Sequence, residues 1–303
     1  MKILVTGGSG YIGTALIKKM IENGHQIRCL DRRIFNISCF QNIGNYLTYF
    51  EMIIGDIRIE EDLRKALKDI DAVVNLAAIV GFPSCAQDPV EAWSVNVDGV
   101  QLLSKLTPLE IPIIQLSTCS VYGNVKQKIC NENHETNPLT IYAETKLQAE
   151  NIILARNGIV LRPVTVYGSS PTPRFDLFLH TLICYGFKNK KLSLFEPKAI
   201  RPMIYIDDIV SAIQFSIDNF SLMHGNIYNL GSDKGEFTKL ELVKKVSKLT
   251  ELQFDIIENE SDPDGRDYYI SWEKIQNLGF KLNVPIDIGL SQTKDWLYNE
   301  LSK

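Results

Sequence analysis

The stretch Lys2-Ile-Leu-Val-Thr-Gly7-Gly-Ser-Gly10-Tyr-Ile-Gly13 decides the reading of this chain. A short apolar run enters a glycine-spaced turn, and the turn opens into a helical pattern over 11–23, which is the context a phosphate-cradling loop requires. The first glycine permits the tight turn, the second lets backbone approach a pyrophosphate, and the third lets helix pack on strand. The helix N-terminus adds exposed N–H groups and partial positive charge. A second strand, 26–30, leads to Asp31, where a carboxylate accepts from both ribose hydroxyls and repels a 2′-phosphate. The expected dinucleotide is therefore NAD. Arg32 and Arg33 follow, and would grip a 2′-phosphate if Asp31 turned away.

Outward from this loop, strands near 50–54, 72–75, 112–116 and 159–163 alternate with helices at 60–69, 88–106 and 140–157. The alternation predicts an α/β fold, a Rossmann-type doubly wound parallel sheet. Within the 60–69 helix, Leu63, Ala66, Leu67 and Ile70 recur at helical spacing to form one apolar face, and Glu60 and Glu61 suit its positive end. Asp56 follows the third strand, where it would reach an adenine amino group or serve as a solvated turn acid. The 33–49 stretch reads as a weakly structured excursion. After Tyr167-Gly-Ser-Ser-Pro-Thr-Pro the pattern turns irregular. This places a dinucleotide-binding domain at 1–167 and a smaller C-terminal α/β substrate-binding lobe at 168–303, with a segment near 203–231 returning to the first domain.

Composition bounds the partners. With 303 residues, 45% hydrophobic, and a net charge of −4, the chain can bury a full core and offers no basic face to nucleic acid or an anionic membrane. Six cysteines lack metal-site spacing, so no zinc site or disulfide frame is indicated, and no metal is expected. Met1 leads directly into a strand without a signal core, and no apolar run reaches membrane-spanning length, so a cytoplasmic protein is expected.

The chemistry is read from Tyr142-Ala-Glu-Thr-Lys146. On a helix this spacing puts phenol and ammonium on one face, one turn apart. A cation beside a phenol favours the phenolate, which can then take a proton from a hydroxyl while hydride leaves the same carbon. Tyr122-Gly-Asn-Val-Lys126 has the same spacing, but Gly123 and Asn124 make it a turn. Ser117-Thr118 follows an apolar strand, so their hydroxyls should emerge at a carboxyl end beside the cofactor crevice; Thr118 is placed to hydrogen-bond the reacting oxygen, or simply to cap the strand.

Together these residues resemble the extended short-chain dehydrogenase/reductase family, in its sugar-nucleotide epimerase/dehydratase branch. The likeness also takes in Asn75-Leu-Ala-Ala78, Asn96 in Val-Asn-Val-Asp-Gly, Leu161-Arg-Pro163, Arg201-Pro-Met-Ile-Tyr-Ile-Asp-Asp208, Tyr228-Asn-Leu-Gly231 and Leu278-Gly-Phe. The resemblance implies a catalytic set of Thr118, Tyr142 as base, and Lys146 holding ribose and tuning the tyrosine. It implies a cofactor surface of Gly7, Gly10, Tyr11, Ile12, Gly13, Asp31, Arg32, Asp56, Ile57, Leu76, Ala77, Ala78 and Asn96 with Tyr142 and Lys146. Substrate contacts would come from Thr118, Arg174, Arg201 and Arg266, the last two meeting a diphosphate. The implied substrate is a nucleoside-diphosphate sugar, and the helices at 88–106 and 140–157 are similar to those that pair two subunits, so a homodimer is expected.

Departures from the pattern narrow the reaction. The 4,6-dehydratases of this family carry Asp-Glu directly after the catalytic Thr; here Cys119 and Ser120 stand there, which argues against water elimination. Cys119 lies three residues before Tyr122, where the related 3,5-epimerases place a cysteine two before, and it reads as an ordinary buried thiol. Val80 and Thr165 replace residues often polar in 4-epimerases. The expected activity is NAD-dependent oxidation at C4 to a 4-keto sugar, ending as 4-epimerisation or net dehydrogenation; a 4-keto-sugar reductase is the same machinery run backwards. A non-catalytic nicotinamide-sensing regulator on this fold is the rival from another class, and would have no need of an ordered Thr, Tyr and Lys.

Overall fold

The computed structural model describes residues 1–32, 48–123, 125, 129–231, 236–257 and 269–302. The 33–47 part of the expected excursion, and Arg266, lie outside the described residues. Seven parallel strands form the main sheet in the order Phe50–Ile54, Gln26–Asp31, Lys2–Thr6, Ala72–Asn75, Ile113–Leu116, Ile159–Pro163 and Ile227–Leu230. The inner strands are apolar along their length because helices cover both faces: Ile3, Leu4 and Val5 are fully buried, as are Val73 and Val74. Chain order reverses beside Lys2–Thr6, whose neighbours are the second strand on one side and Ala72–Asn75 on the other. Ligand crevices in such sheets open at that reversal, beyond the carboxyl ends of the strands.

A buried polar row marks those ends. The Thr6 hydroxyl donates to Asn75 Oδ1, Asn75 Nδ2 donates to Gln115 Oε1 at 2.6 Å, and Gln115 Nε2 donates to the Leu116 carbonyl at 3.0 Å. Each group finds a partner, so the row fixes strand ends without an unsatisfied polar atom.

Three predicted helices differ in extent. The 60–69 helix runs over Glu60–Ala66, because the buried Arg28 guanidinium takes the carbonyls of Lys65, Ala66 and Lys68. The 140–157 helix is Ile141–Leu154, and Asn157 beyond it is left-handed at φ +61°. The single helix expected at 88–106 is three segments: Pro89–Trp93, a π-helical turn Ser94–Asp98, and Gly99–Leu106. In the widened turn, Asn96 reaches across to two other segments, and π turns of this kind are frequent at functional sites.

The remaining helices Phe178–Phe187, Lys239–Thr250 and Ile286–Leu301 share a second core containing Leu179, Leu182, Ile183, Leu242, Val246, Leu290 and Leu297. Thr165–Tyr167, Ile200–Tyr205 and Glu236–Thr238 form a small sheet beside it. Helix Ile206–Asp218 instead packs on helix Tyr11–Glu22, next to the main sheet. Among the described residues, no helix is long and apolar enough to cross a membrane, and no group of three His, Cys, Asp or Glu is placed to hold a metal ion.

Candidate active site

The glycine loop is folded onto the first strand. Gly7 adopts φ +68°, and a Cβ there would lie 2.6 Å from the backbone nitrogen of Ala77; one on Gly13 would lie 2.6 Å from the Gly7 carbonyl. These two positions exclude any side chain for different reasons, a left-handed turn against Leu76 and Ala77 and a close helix–loop contact. Gly10 precedes helix Tyr11–Glu22 in extended conformation, and the first turn carries no side-chain cap and no acidic residue. Its N–H groups are thus arranged to receive an anion. Asp31 ends the second strand and accepts from the Ser9 backbone N–H at 3.0 Å, which draws the loop against the strand end. Cradle, helix terminus and strand-end carboxylate fit a dinucleotide.

The other residues expected on this surface divide into two groups. Leu76 and Ala77 lie against Gly7, and with Ala78 are partly exposed. The Tyr11 side chain turns away, donating from its hydroxyl to the Gly168 carbonyl at 2.8 Å. Burial pushes that phenol well above the ordinary tyrosine value. Ile12 packs partly buried against both large cores, and Ile57 is buried under Gly99, so both side chains serve packing. Asn96 accepts from the Ile79 N–H at 2.8 Å and donates to the Ile79 carbonyl and Thr145 Oγ1, each at 3.0 Å. Its amide is committed to holding the Ile79 loop against the Ile141–Leu154 helix. Asp56 is gripped by Arg58 through Nε at 2.9 Å and Nη2 at 2.6 Å, and this hydrogen bonding holds its carboxyl below the usual range. Arg32 is paired with Glu91.

The helix bearing Tyr142 starts at Thr140, whose hydroxyl accepts from the Ala143 N–H at 3.2 Å. Lys146 follows Tyr142 by one turn and is 4% exposed. Segment Phe82–Gln87 covers this face of the helix, and burial pulls the Lys146 ammonium down to about 8, opposed by Glu150 and Cys85. No ion pair or hydrogen bond engages Lys146 among the described residues. Glu150, one turn further on, is bound instead by Arg162, with Nε donating at 2.9 Å. A buried cation left without a carboxylate is costly to hold, and marks a site prepared for a ligand.

Thr118 lies beside this helix at the start of the 3₁₀ turn Cys119–Tyr122, which packs against it. Thr118 Oγ1 accepts from the Ser120 N–H at 3.1 Å and shares a hydrogen bond with Ser120 Oγ at 2.9 Å. When Ser120 donates, the threonine hydroxyl proton is left for a reacting oxygen. Ser117 departs from expectation. Its hydroxyl turns inward and donates to the buried Glu150 instead of facing the crevice. Cys119 is also turned inward, donating to the Arg162 carbonyl at 3.1 Å. Tyr122 is fully buried, with its hydroxyl on Asn229 Oδ1 at 2.7 Å, so it is a core residue.

Of the proposed substrate arginines, Arg201 is 7% exposed and shares a small cavity with Cys119, Val164 and Thr165. Arg174 pairs with Asp176, Nε donating at 3.1 Å, and lies within electrostatic reach of Tyr142 and Tyr11. Sequence reasoning missed the clasp that brings this segment to the glycine loop. Ser170 donates to the Tyr11 carbonyl at 2.6 Å and Thr172 to the Ser9 carbonyl at 3.0 Å. Buried His180 accepts from the Gly168 N–H at 3.1 Å and bonds the Arg174 carbonyl at 2.6 Å; burial draws its pKa down to about 4, keeping it neutral. Only the run Ser169-Ser-Pro-Thr172 hinted at this, and runs of that kind are common in plain turns.

Comparison with known proteins agrees with this arrangement. The family model for the NAD dependent epimerase/dehydratase family matches residues 3–231. A dTDP-D-glucose 4,6-dehydratase of Dictyostelium discoideum is 26% identical, over 98% of this chain and 82% of its own. Among solved structures, a UDP-glucuronic acid 4-epimerase from Bacillus cereus, in complex with UDP-glucuronic acid and NAD, superposes with a TM-score of 0.88 at 26% identity, covering 99% of this chain and all of that one. A dTDP-glucose 4,6-dehydratase from Bacillus anthracis in complex with NAD gives 0.87 at 25% identity, covering 100% and 98%. The chain is an NAD-dependent enzyme and belongs to the NAD dependent epimerase/dehydratase family of extended short-chain dehydrogenases/reductases.

Proposed function

We propose that this enzyme acts at C4 of a nucleoside-diphosphate sugar, with Tyr142 as proton acceptor, Lys146 as its electrostatic partner and Thr118 as the group that holds the reacting oxygen. The observation that carries the reading is the buried Lys146 ammonium, without an ion pair among the described residues, one helical turn from Tyr142. Such a cation favours the phenolate of a neighbouring tyrosine. Tyr142 then takes the C4 hydroxyl proton, while Thr118 donates to the oxygen on which the carbonyl forms. NAD, when bound, supplies the hydride acceptor. The result is a 4-keto sugar; hydride returned to the opposite face gives the C4 epimer, and release of the ketone gives net dehydrogenation.

Two features favour this over dehydration. Ser120 and Cys119 occupy the positions where the acid pair of the 4,6-dehydratases would stand. Cys119 points to the Arg162 carbonyl and Ser120 to Thr118, which leaves neither arranged as a proton donor to C6. Cys119 is buried, and the 3,5-epimerase route through a cysteine is likewise disfavoured.

The test is a panel of UDP-, GDP-, dTDP- and CDP-sugars followed by NMR, with NAD and NADH released by denaturation and counted. The Tyr142→Phe variant should retain NAD and lose turnover by about 10² to 10⁴. A product lacking the C6 oxygen, or full activity in Tyr142→Phe, would overturn the proposal.

A further inference from the structure

Beside the ribose-side carboxylate Asp31 runs a chain of alternating charges. Arg32 donates through Nη1 to Glu91 Oε1; Arg58 Nη1 donates to Glu91 Oε2 at 2.7 Å; Arg58 Nε and Nη2 grip Asp56. Glu91 sits in the short helix Pro89–Trp93, where its own N–H donates to Asp88 Oδ1 at 2.9 Å. The two guanidiniums therefore share one carboxylate that is itself held in a capped turn. The hydrogen bond from Arg32, then that from Arg58, lowers the Glu91 carboxyl below its ordinary value, so it stays charged.

We propose that Glu91 is a specificity-determining residue for the cofactor: it latches Arg32 away from the ribose and thereby keeps the enzyme on NAD instead of its 2′-phosphorylated form. Arg32 directly follows Asp31, so a swing of its side chain is enough to carry a guanidinium toward a 2′-phosphate. Arginine recognises phosphate by paired, charge-assisted hydrogen bonds, and would do so here if no carboxylate occupied it. With the latch closed, Glu91 holds both Arg32 and Arg58. A dianionic 2′-phosphate then meets the Asp31 carboxylate and a guanidinium already engaged. Glu91→Gln removes one negative charge and leaves Arg32 with a weaker, neutral partner. The proposal rests on NAD occupying the glycine loop, and concerns cofactor choice only.

The experiment is titration calorimetry of the full chain, stripped of nucleotide, with NAD and NADP separately. For Glu91→Gln the ratio of NADP to NAD affinity should rise about tenfold or more, equivalent to one charge-assisted hydrogen bond, while the Kd for NAD moves by less than about threefold. Adding Arg32→Ala to that variant should return the ratio to the wild-type value. A ratio in Glu91→Gln indistinguishable from wild type overturns the latch, as does a gain that survives Arg32→Ala, or loss of NAD binding on removing Glu91. Because the readout is binding, failure of every sugar in a turnover assay would sink the C4 reading and leave this one to be judged on its own data.

Discussion

Lys146→Met replaces a cation that is 4% exposed, with no ion pair among the described residues, by an unbranched apolar side chain of similar length. Burial draws Lys146 from an ordinary 10.5 down to about 8. At about 1.4 kcal/mol per pH unit, keeping that lysine charged costs the fold about 3 kcal/mol at neutral pH. A 303-residue chain has an unfolding entropy of about 0.6 kcal/mol/K, so removing the cost raises Tm by about 5 °C, less about 2 °C if methionine packs imperfectly. The pH dependence separates this from a simple packing gain. Because the folded value lies below the unfolded one, the unfolded chain binds more protons between about pH 8 and 10.5, and wild-type stability from this group rises across that window. The Met variant lacks that rise, so its advantage is full below pH 8 and disappears by about 10.5. Scanning calorimetry of NAD-free protein from pH 7 to 10 measures it, alongside a turnover loss of about 10² or more. A variant less stable than wild type at pH 7, or an advantage constant with pH, would refute the idea that the fold carries an unpaired charge for its ligand.

Other expectations follow from the same geometry. Gly13→Ala places a Cβ 2.6 Å from the Gly7 carbonyl and Gly8 Cα; it should destabilise the fold by about 1–3 kcal/mol and weaken NAD binding at least about tenfold, read by urea unfolding and calorimetry. Glu150→Gln removes the carboxylate from a buried pair in which Arg162 is 2% exposed, and should cost about 3–5 kcal/mol. An unfolding free energy within about 1 kcal/mol of wild type would show that Arg162 finds another partner.

Much of the fold was legible because it depends on local rules. The step from strand to glycine turn to helix at Lys2–Gly13 and the apolar strands at 72–75 and 159–163 announce a doubly wound sheet through spacing alone. Helix periodicity likewise put Tyr142 and Lys146 on one face. What spacing does not carry is where a polar side chain finds its partner across the fold. Its place after an apolar strand predicts a crevice-facing Ser117, but Glu150, 33 residues away, captures it. Arg32 follows Asp31 and is expected on the cofactor, yet Glu91 holds it from 59 residues further along. The split of the 88–106 helix has the same origin: Asn96 bonds both Ile79 and Thr145, and no periodicity signals a turn widened for that purpose. The burial of Lys146 depends on Phe82–Gln87, a helix too short to show a pattern. Each of these is a tertiary preference overriding a local one.

A crystal structure of the protein soaked or grown with NAD shows where the dinucleotide sits and what Tyr142 and Lys146 touch. The pyrophosphate is expected on the N–H groups that follow Gly10, the Lys146 ammonium on ribose hydroxyls, and the Tyr142 hydroxyl facing the nicotinamide. A dinucleotide seated elsewhere, or Tyr142 turned away from the ring with Lys146 still unliganded, would contradict the proposed function.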